Sequence, residues 1–353
     1  MDHTSPYLHG GDIYSQPVQV DFSANVSPLG MPDGVKQALM ESLDAWSAYP
    51  DPRCRELAHA IAKKEQVPTD WVVCGNGAAD LIYRLVHVIK PKRALLAVPC
   101  FSEYEKALEE VGAEVCHYIR RKENEFALEA DFLTRIEQEQ DLQMIFLCQP
   151  NNPTGDVIQP KLLGQILAVC EQRQIVLVLD ECFLEFLPEY ESYHGKPEAA
   201  GVVILKAFTK LYAMAGLRLG YTLCSDVTLN ARLWQYGPCW NVSVPAQIAG
   251  VAALRETAYV DRVRRLVAKE RDFLKQELQK IGFTVYPSGA NFLLFYSATP
   301  LKDRLLEKGI AIRDCANYRG LEEGYYRVAV RTRAENQMLI RALRESLRQQ
   351  DGF

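Results

Sequence analysis

The stretch "LKAFTKLYAMAGLRLGY", residues 205–221, decides how this chain is interpreted. It begins with an apolar run typical of a buried strand, after which Lys210 directly follows the hydroxyl of Thr209, and Arg218 comes shortly afterwards. A lysine with apolar neighbours on both sides is expected to be buried and to have a lowered pKa, which suits a nucleophilic amine. The alternative is an ordinary surface lysine, the more common case for this residue type.

Length and composition describe an ordinary globular protein. The chain has 353 residues, 48% of them hydrophobic and 24% charged, which favours two subdomains over one. A net charge of -5 and the lack of a long Lys/Arg run predict no nucleic-acid partner. The N-terminus lacks the apolar segment of a signal peptide, and no apolar run is long enough for a membrane span. The 10 cysteines are scattered without a CxxC pair, so we expect reduced thiols, no metal site and a cytoplasmic location.

The region from about Trp71 to Cys224 alternates short apolar runs with amphipathic segments. Runs that are apolar on both faces are typical of parallel strands covered by helices. The pattern predicts an α/β fold with a mainly parallel, seven-stranded sheet, whose strands are "WVVCGNG", "ALLAVP", "AEVCHY", "MIFLCQPNNP", "IVLVLDE", "VVILKAF" and "YTLC". Ligands of such sheets collect at the carboxyl ends of the strands, where this chain places its polar motifs.

The pattern changes after about Leu254, where a long charged helix leads into the strand candidates "FTVYP", "NFLLFY", "IAIRD" and "YYRVAVRT". This alternation is typical of a smaller α+β domain. The first forty-odd residues have no obvious partner in the large domain. We therefore predict a large domain over 46–254 and a small domain formed by 1–45 and 255–353.

Three motifs at predicted strand ends carry polar chemistry. "GNGAAD" (75–80) precedes a helix expected to begin at Leu81, and free N–H groups there suit a phosphate, although a tight turn is the alternative. "PNNPTG" (150–155) fixes two asparagines between prolines. Asp180 ends an apolar strand, which is costly unless the acid meets a cation, and a structural arginine or a helix N-terminus is the alternative partner.

One ligand accounts for these motifs together. It has a phosphate, a ring that takes an acid at one edge and an amide at another, and an aldehyde that captures a lysine. Pyridoxal 5'-phosphate has all of these groups. The motifs therefore predict a pyridoxal-phosphate protein.

With these motifs the sequence resembles the fold-type-I pyridoxal-phosphate enzymes of the aspartate-aminotransferase superfamily, over essentially the whole chain. The resemblance implies that Lys210 binds the cofactor aldehyde, Asp180 pairs with the pyridine N–H and Asn152 binds the ring hydroxyl. It also implies that Phe101 stacks on the ring. The implied phosphate ligands are the backbone of Ala78 and Ala79 together with Thr209 and Arg218.

The resemblance implies a homodimer as well, because Tyr49 of "AYPDP" matches a residue that reaches the phosphate in the other subunit. Within the superfamily, the sequence is similar to the histidinol-phosphate aminotransferase branch and, more narrowly, to the L-threonine-O-3-phosphate decarboxylases of the cobalamin pathway. The narrower match is carried by "HGGDI", "DFSANVSPLGMP" and "IRDCANYRGLEEGYYRVAVRT". Two residues depart from the pattern expected of aminotransferases. Ala207 replaces a serine. Phe183 replaces a tyrosine, and a phenylalanine at this position is expected in the decarboxylase branch.

Arginines near the C-terminal end predict how a doubly anionic substrate is held. In "YYRVAVRTR", alternation along a strand would place Arg327 and Arg331 on one face, roughly 13 Å apart. We expect Arg327 to bind a carboxylate, and Arg313 and Arg331 to bind a phosphate, with His9 and Asn25 closing over it. A solvated strand face is the alternative.

Three functions remain open from the sequence. The first is decarboxylation of a small phosphorylated amino acid, either L-threonine O-3-phosphate or a relative such as O-phosphoserine. The second is an aminotransferase of the histidinol-phosphate or aromatic type. The third is a non-catalytic pyridoxal-phosphate module, which the intact Lys210, Asp180, Asn152 and Arg218 disfavour.

Overall fold

The computed structural model describes residues 13, 17–187, 189, 192–193 and 201–348. Short strands and amphipathic helices alternate through most of this range. The strands are β1 Val20–Asp21, β2 Val72–Gly75, β3 Arg93–Val98, β4 Glu114–Ile119, β5 Met144–Cys148, β6 Val176–Asp180, β7 Val202–Ala207, β8 Gly220–Leu223, β9 Thr284–Val285, β10 Phe292–Tyr296, β11 Ile310–Ala311, β12 Arg313–Asp314 and β13 Tyr325–Ala329. The helices are α1 Asp33–Glu41, α2 Arg55–Glu65, α3 Ala78–Ile89, α4 Ser102–Glu110, α5 Asp131–Gln138, α6 Pro160–Gln172, α7 Phe208–Leu211, α8 Val227–Tyr236, α9 Val244–Ala253, α10 Thr257–Ile281, α11 Lys302–Leu306 and α12 Arg333–Arg348.

The large sheet has the order β2-β8-β7-β6-β5-β3-β4, with seven strands in the described part of the chain. Strand β8 is antiparallel to both of its neighbours, and all other pairs are parallel. The central strands β5 and β7 are buried along their whole length, because helices cover both faces of the sheet. The predicted α/β fold with a mainly parallel sheet is therefore confirmed, including its seven strands.

A second sheet, with the order β12-β13-β10-β9, is antiparallel throughout. Its apolar face packs against the C-terminal half of α10 and against α12, in a core that includes Leu274, Leu278, Leu293 and Leu339. Strand β1 pairs in parallel with β11 beside this sheet. The first described strand thus lies beside the small domain.

The predicted assignment of all of residues 1–45 to the small domain is wrong for α1. This helix packs against α9, and its buried residue Val35 belongs to the core that underlies the large sheet. The reason is that α1 has one buried apolar position, and the complementary surface for it lies on α9. Among the described residues before α1, strand β1 joins the small domain through its pairing with β11.

No helix among the described residues has both the length and the apolarity needed to cross a bilayer. The 10 cysteines are all free thiols, most of them buried.

Candidate active site

Three strands meet beside a helix N-terminus at one edge of the large sheet. Ala207 lies opposite Gly220, which in turn lies opposite Gly75. Helix α3 begins at Ala78, three residues earlier than the predicted Leu81, because Gly77 in an extended, positive-φ conformation turns the chain directly into the helix. The N-cap of α3 receives no side-chain hydrogen bond. The first backbone N–H groups, those of Ala78 and Ala79, therefore point out of the helix end, where they suit a phosphate.

The side chain of Arg218 lies across this helix end. A Cβ atom on Gly77 would come within 2.6 Å of Arg218 Nη2, so only glycine allows the guanidinium this close. Gly220 is equally constrained, since its Cβ would lie 2.8 Å from the Ala78 nitrogen. Arg218 itself has a left-handed backbone with a φ of 56° and donates to the Ala215 carbonyl at 3.1 Å. Arg218 thus combines a strained backbone with a positive charge beside a helix N-terminus that has no capping side chain. This combination is typical of a preformed anion-binding site.

The residues that follow β7 add an amine and a hydroxyl. Thr209 and Lys210 lie in the short helix α7, immediately after Ala207 in the row of three strands. Thr209 carries a hydroxyl shortly after Ala207, where the sequence lacks a serine. Ala78 and Arg218 thus lie at one helix end, and Thr209 follows the strand beside it.

Burial and two cations lower the pKa of Lys210 to about 8. Burial is the largest cause, and the charges of Arg327 and Arg218 act in the same direction. Lys210 Nζ has no hydrogen-bond partner within the described ranges and lies 5.5 Å from the ring centre of Phe183. With a pKa of about 8, a much larger minority of this amine is neutral near physiological pH than for an ordinary lysine, which suits a nucleophile and proton carrier.

Asp180 ends β6 with its side chain buried. Its Oδ2 accepts a 2.6 Å hydrogen bond from Tyr104, and its Oδ1 accepts from the Cys182 backbone at 2.9 Å. Within the described residues it forms no ion pair, so the structural arginine considered from the sequence is not its partner. A buried carboxylate that lacks a cation is costly unless a ligand supplies one. The pyridine N–H predicted for this position would do so.

Tyr104 is a site residue that the sequence interpretation missed. It is fully buried in α4, stacks on Phe146 with a centroid separation of 4.8 Å, and meets Phe101 edge-on at 5.6 Å. Phe101 precedes α4 at the carboxyl end of β3, as expected for a residue that stacks on a ligand there. The available signal was the spacing of Phe101 and Tyr104, three residues apart at the start of a helix, which places both on one side.

Asn152 of the "PNNPTG" motif contacts an arginine of the small domain. Its Oδ1 accepts a hydrogen bond from Arg327 Nη1, and Arg327 Nη2 donates to the Ser23 carbonyl at 2.9 Å. Both side chains are buried. Because its oxygen is used by Arg327, the Asn152 amide nitrogen is left as the group that can donate to a ligand. The motif therefore joins the large domain, the small domain and the N-terminal segment.

Two arginines face each other in the small sheet. Arg313 on β12 is the direct register partner of Arg327 on β13. Their exposed fractions are only 7% and 6%. Neither forms an ion pair with a carboxylate in the described part of the chain. Adjacent buried cations repel each other and lose hydration, so this arrangement favours a bound anion.

Asn25 brings the N-terminal segment to the same place. It is 3% exposed, and its buried Oδ1 has no hydrogen-bond partner among the described residues. Two residues later, the Ser27 backbone donates to the Lys210 carbonyl at 2.8 Å. A buried oxygen without a hydrogen-bond partner, next to the segment that carries Lys210, can accept a hydrogen bond from a donor group of a ligand. His9, predicted to close over the same ligand, lies outside the described residues.

Arg331 does not lie where the sequence interpretation put it. Strand β13 ends at Ala329, so the predicted common strand face of Arg327 and Arg331 is wrong. Arg331 instead pairs with Glu335 in the first turn of α12, with Nη2 and Oε1 separated by 2.6 Å. The carboxylate of Glu335 also accepts hydrogen bonds from the backbone N–H and the hydroxyl of Thr332. These bonds cap the start of α12.

Tyr49 lies apart from these residues on the surface of the chain. It is 78% exposed and stacks on Trp240 at a centroid separation of 4.4 Å. Trp46 and Met40 are exposed nearby in sequence. A cluster of exposed aromatic and apolar side chains is typical of a protein–protein interface.

Comparisons with known proteins agree with this geometry. A family model described as aminotransferase class I and II matches residues 17–343. The chain is 38% identical over 352 residues to threonine-phosphate decarboxylase of Salmonella typhimurium, covering 96% of each protein. It is 32% identical over 331 residues to histidinol-phosphate aminotransferase of Methanosarcina mazei, covering 92% of this chain and 87% of that protein. Among solved structures, L-threonine-O-3-phosphate decarboxylase from Porphyromonas gingivalis is similar, with a TM-score of 0.82, 28% identity, and coverage of 93% and 99%.

Proposed function

Since the chain belongs to the class I and II aminotransferase family, we propose that it is a pyridoxal-phosphate-dependent carboxy-lyase. Its proposed substrate is L-threonine O-3-phosphate, which would give (R)-1-aminopropan-2-yl phosphate and CO2. O-phosphoserine is a related substrate of the same chemistry. The higher identity to a threonine-phosphate decarboxylase than to a histidinol-phosphate aminotransferase supports decarboxylation. The observation that carries the substrate class is the pair of buried arginines, Arg313 and Arg327, which are cross-strand partners in the small sheet.

The residues present fit pyridoxal 5'-phosphate. The cation-free carboxylate of Asp180 suits its ring nitrogen, and the amide nitrogen of Asn152 suits its ring hydroxyl. Phe101 would cover one ring face and Lys210 would hold the aldehyde. The phosphate would take the free helix end at Ala78 and Ala79 with the side chains of Thr209 and Arg218. When bound, this cofactor supplies an electron sink for the electron pair left on the substrate when a bond at its α-carbon breaks.

The arginines would orient the substrate for loss of CO2. We assign the carboxylate to Arg327, whose guanidinium is held by Asn152 and by the Ser23 carbonyl. We assign the phosphate to Arg313, with His9 and the amide nitrogen of Asn25 as further ligands. By holding the carboxylate in one orientation, Arg327 would select which bond at the α-carbon breaks.

Lys210 would then return a proton. After the bond between the α-carbon and the carboxylate breaks and CO2 leaves, the α-carbon needs one proton to give the amine product. The Lys210 amine can carry that proton, because a pKa of about 8 lets it gain and lose one near neutral pH. Phe183 beside Nζ offers no competing hydrogen bond.

We also propose a homodimer in which Tyr49 reaches the cofactor phosphate of the other subunit. Its high exposure and its aromatic neighbour Trp240 support this. A cytoplasmic location is proposed as well, supported by the free thiols of all 10 cysteines.

A direct test mixes the purified protein with pyridoxal phosphate and O-phospho-L-threonine. We expect CO2 and an amino-alcohol phosphate, without a 2-oxo acid. Borohydride treatment should fix the chromophore to the peptide that contains Lys210. An aminotransferase is the second candidate, favoured by the similarity to the Methanosarcina mazei protein. It replaces the first if histidinol phosphate is transaminated and no CO2 forms.

A further inference from the structure

The segment after β12 surrounds one of the two facing arginines. Arg313 Nη2 donates to Asn317 Oδ1 at 2.7 Å, and Arg313 Cζ lies 5.3 Å from the ring centre of Tyr318. Tyr318 is buried, whereas Asn317 is exposed. The guanidinium is therefore held on one edge by an amide oxygen and on one face by an aromatic ring.

Arg327 has surroundings of the same kind. An amide oxygen, that of Asn152, accepts from one of its nitrogens, and the ring of Phe292 lies 5.4 Å from its Cζ. Neutral acceptors fix the direction of each guanidinium without cancelling its charge. A carboxylate in either place would form an ion pair and would compete with an anionic substrate.

The same segment is also tied to the large domain. Arg319 Nη2 lies 2.9 Å from Glu105 Oε1 on α4, and His117 Nε2 lies 2.9 Å from the same oxygen. Gly320 packs close to Pro99, since a Cβ added to it would lie 3.5 Å from the Pro99 ring. Helix α4 is the one that begins after Phe101 and carries Tyr104. The segment thus reaches from the facing arginines to the helix beside the predicted cofactor ring.

We propose that Asn317 is a positioning residue that aims Arg313 at the phosphate of the substrate. This inference rests on the proposed function and makes it more specific. Asn317 acts by orienting the Arg313 guanidinium, and as a neutral acceptor it leaves the charge of Arg313 available to an anion. Tyr318 limits rotation of the same guanidinium. The prediction that follows is selective: loss of the Asn317 amide weakens recognition of a phosphate and leaves recognition of an unphosphorylated amino acid unchanged.

The test compares Asn317→Ala, Asn317→Asp and wild type as holoenzymes. The probes are inorganic phosphate, titrated calorimetrically, and L-threonine, followed through the absorbance of the bound cofactor. For Asn317→Ala we expect the phosphate Kd to rise about fivefold, the effect of one charge-assisted hydrogen bond made by a partly exposed group. The L-threonine Kd should not change. Gln37→Ala, which removes an exposed amide bonded to Glu41, is the control and should change neither Kd.

Asn317→Asp separates positioning from a merely structural role. It keeps an acceptor for Arg313 but adds a charge that pairs with it. We expect phosphate to bind more weakly than to Asn317→Ala. Recovery of wild-type phosphate affinity in Asn317→Asp would overturn the proposal, and so would equal weakening of phosphate and L-threonine in Asn317→Ala. If the wild type binds phosphate in this Asn317-dependent way but releases no CO2 from O-phospho-L-threonine, the proposed function fails and the positioning role stands.

Discussion

Tyr104 donates a 2.6 Å hydrogen bond to Asp180, and both side chains are buried at the carboxyl edge of the large sheet. The backbone N–H and the thiol of Cys182 also contact Asp180, so Tyr104 and Cys182 together fix the orientation of the carboxylate. Burial raises the pKa of Tyr104 well above its usual value, and the Asp180 charge raises it further, so the hydroxyl stays protonated as a donor.

Replacing that hydroxyl tests its contribution. For Tyr104→Phe we expect kcat/KM for O-phospho-L-threonine to fall about tenfold to a hundredfold, since a buried hydrogen bond to a charged group contributes about 1.5–3 kcal/mol. The absorbance of the bound cofactor should also change its dependence on pH. Tyr83→Phe removes a 2.9 Å hydrogen bond to Glu103 from the adjacent helix and serves as the control. Equal kinetics in both variants would remove Tyr104 from the site.

The lowered pKa of Lys210 predicts a pH dependence of stability before cofactor is added. Between pH 8 and the ordinary lysine pKa of 10.5, the unfolded chain binds a proton at this position that the folded chain has lost. The free energy of unfolding should therefore rise with pH across that window, whereas below pH 8 the full cost of the buried charge remains.

Removing the amine isolates this effect. Without cofactor, Lys210→Met should be more stable than wild type at pH 7 by roughly 1–2 kcal/mol. This difference is smaller than the full pKa shift would give, because the side chain is partly exposed and solvent screens its charge. The advantage should shrink as the pH approaches 10.5. Denaturant unfolding at several pH values measures it, and Lys92→Met on the surface is the control. An advantage that does not depend on pH would contradict the assignment of a depressed pKa.

The two arginines predicted for the phosphate should behave differently. Arg313→Ala should lower kcat/KM for O-phospho-L-threonine about tenfold to a hundredfold, because it removes a charged hydrogen bond to a buried anion. Arg331→Ala should change it less than about threefold and instead lower the free energy of unfolding by about 0.5–1 kcal/mol, since it breaks the partly exposed pair with Glu335. Steady-state kinetics and denaturant unfolding of both variants decide this. A large kinetic effect of Arg331→Ala would return it to the substrate site.

Sedimentation and cofactor titration test Tyr49. We expect a dimer, and we expect Tyr49→Phe to remain a dimer but to bind pyridoxal phosphate roughly tenfold more weakly, the value of one hydrogen bond to a phosphate. Tyr236→Phe, another exposed tyrosine, should bind the cofactor like the wild type. A fully active monomer would show that Tyr49 acts in no partner's site.

The sequence was most informative where chemistry and periodicity coincide. The apolar strands that lead to Asp180 and to Lys210 were predictable from their pattern. An ionisable residue inside such a strand is costly unless it is paired, as Lys206 in β7 is with Glu65. Tyr104 was missed because its partner Asp180 lies 76 positions away, and the spacing of Phe101 and Tyr104 does not by itself identify that partner. Arg331 was misplaced because alternation along a strand does not reveal where pairing stops, and here Glu335 draws the arginine to the next helix.

Helix α10 has a mechanical consequence for the whole molecule. Its first half contributes Tyr259 and Val263 to the core beneath the large sheet, and its second half contributes Leu274 and Leu278 to the core of the small domain. Helices owe most of their stability to tertiary packing, so loss of packing in one half of this continuous helix of 25 residues would also weaken the other half. The two domains share this helix, and we therefore expect them to melt in one calorimetric transition.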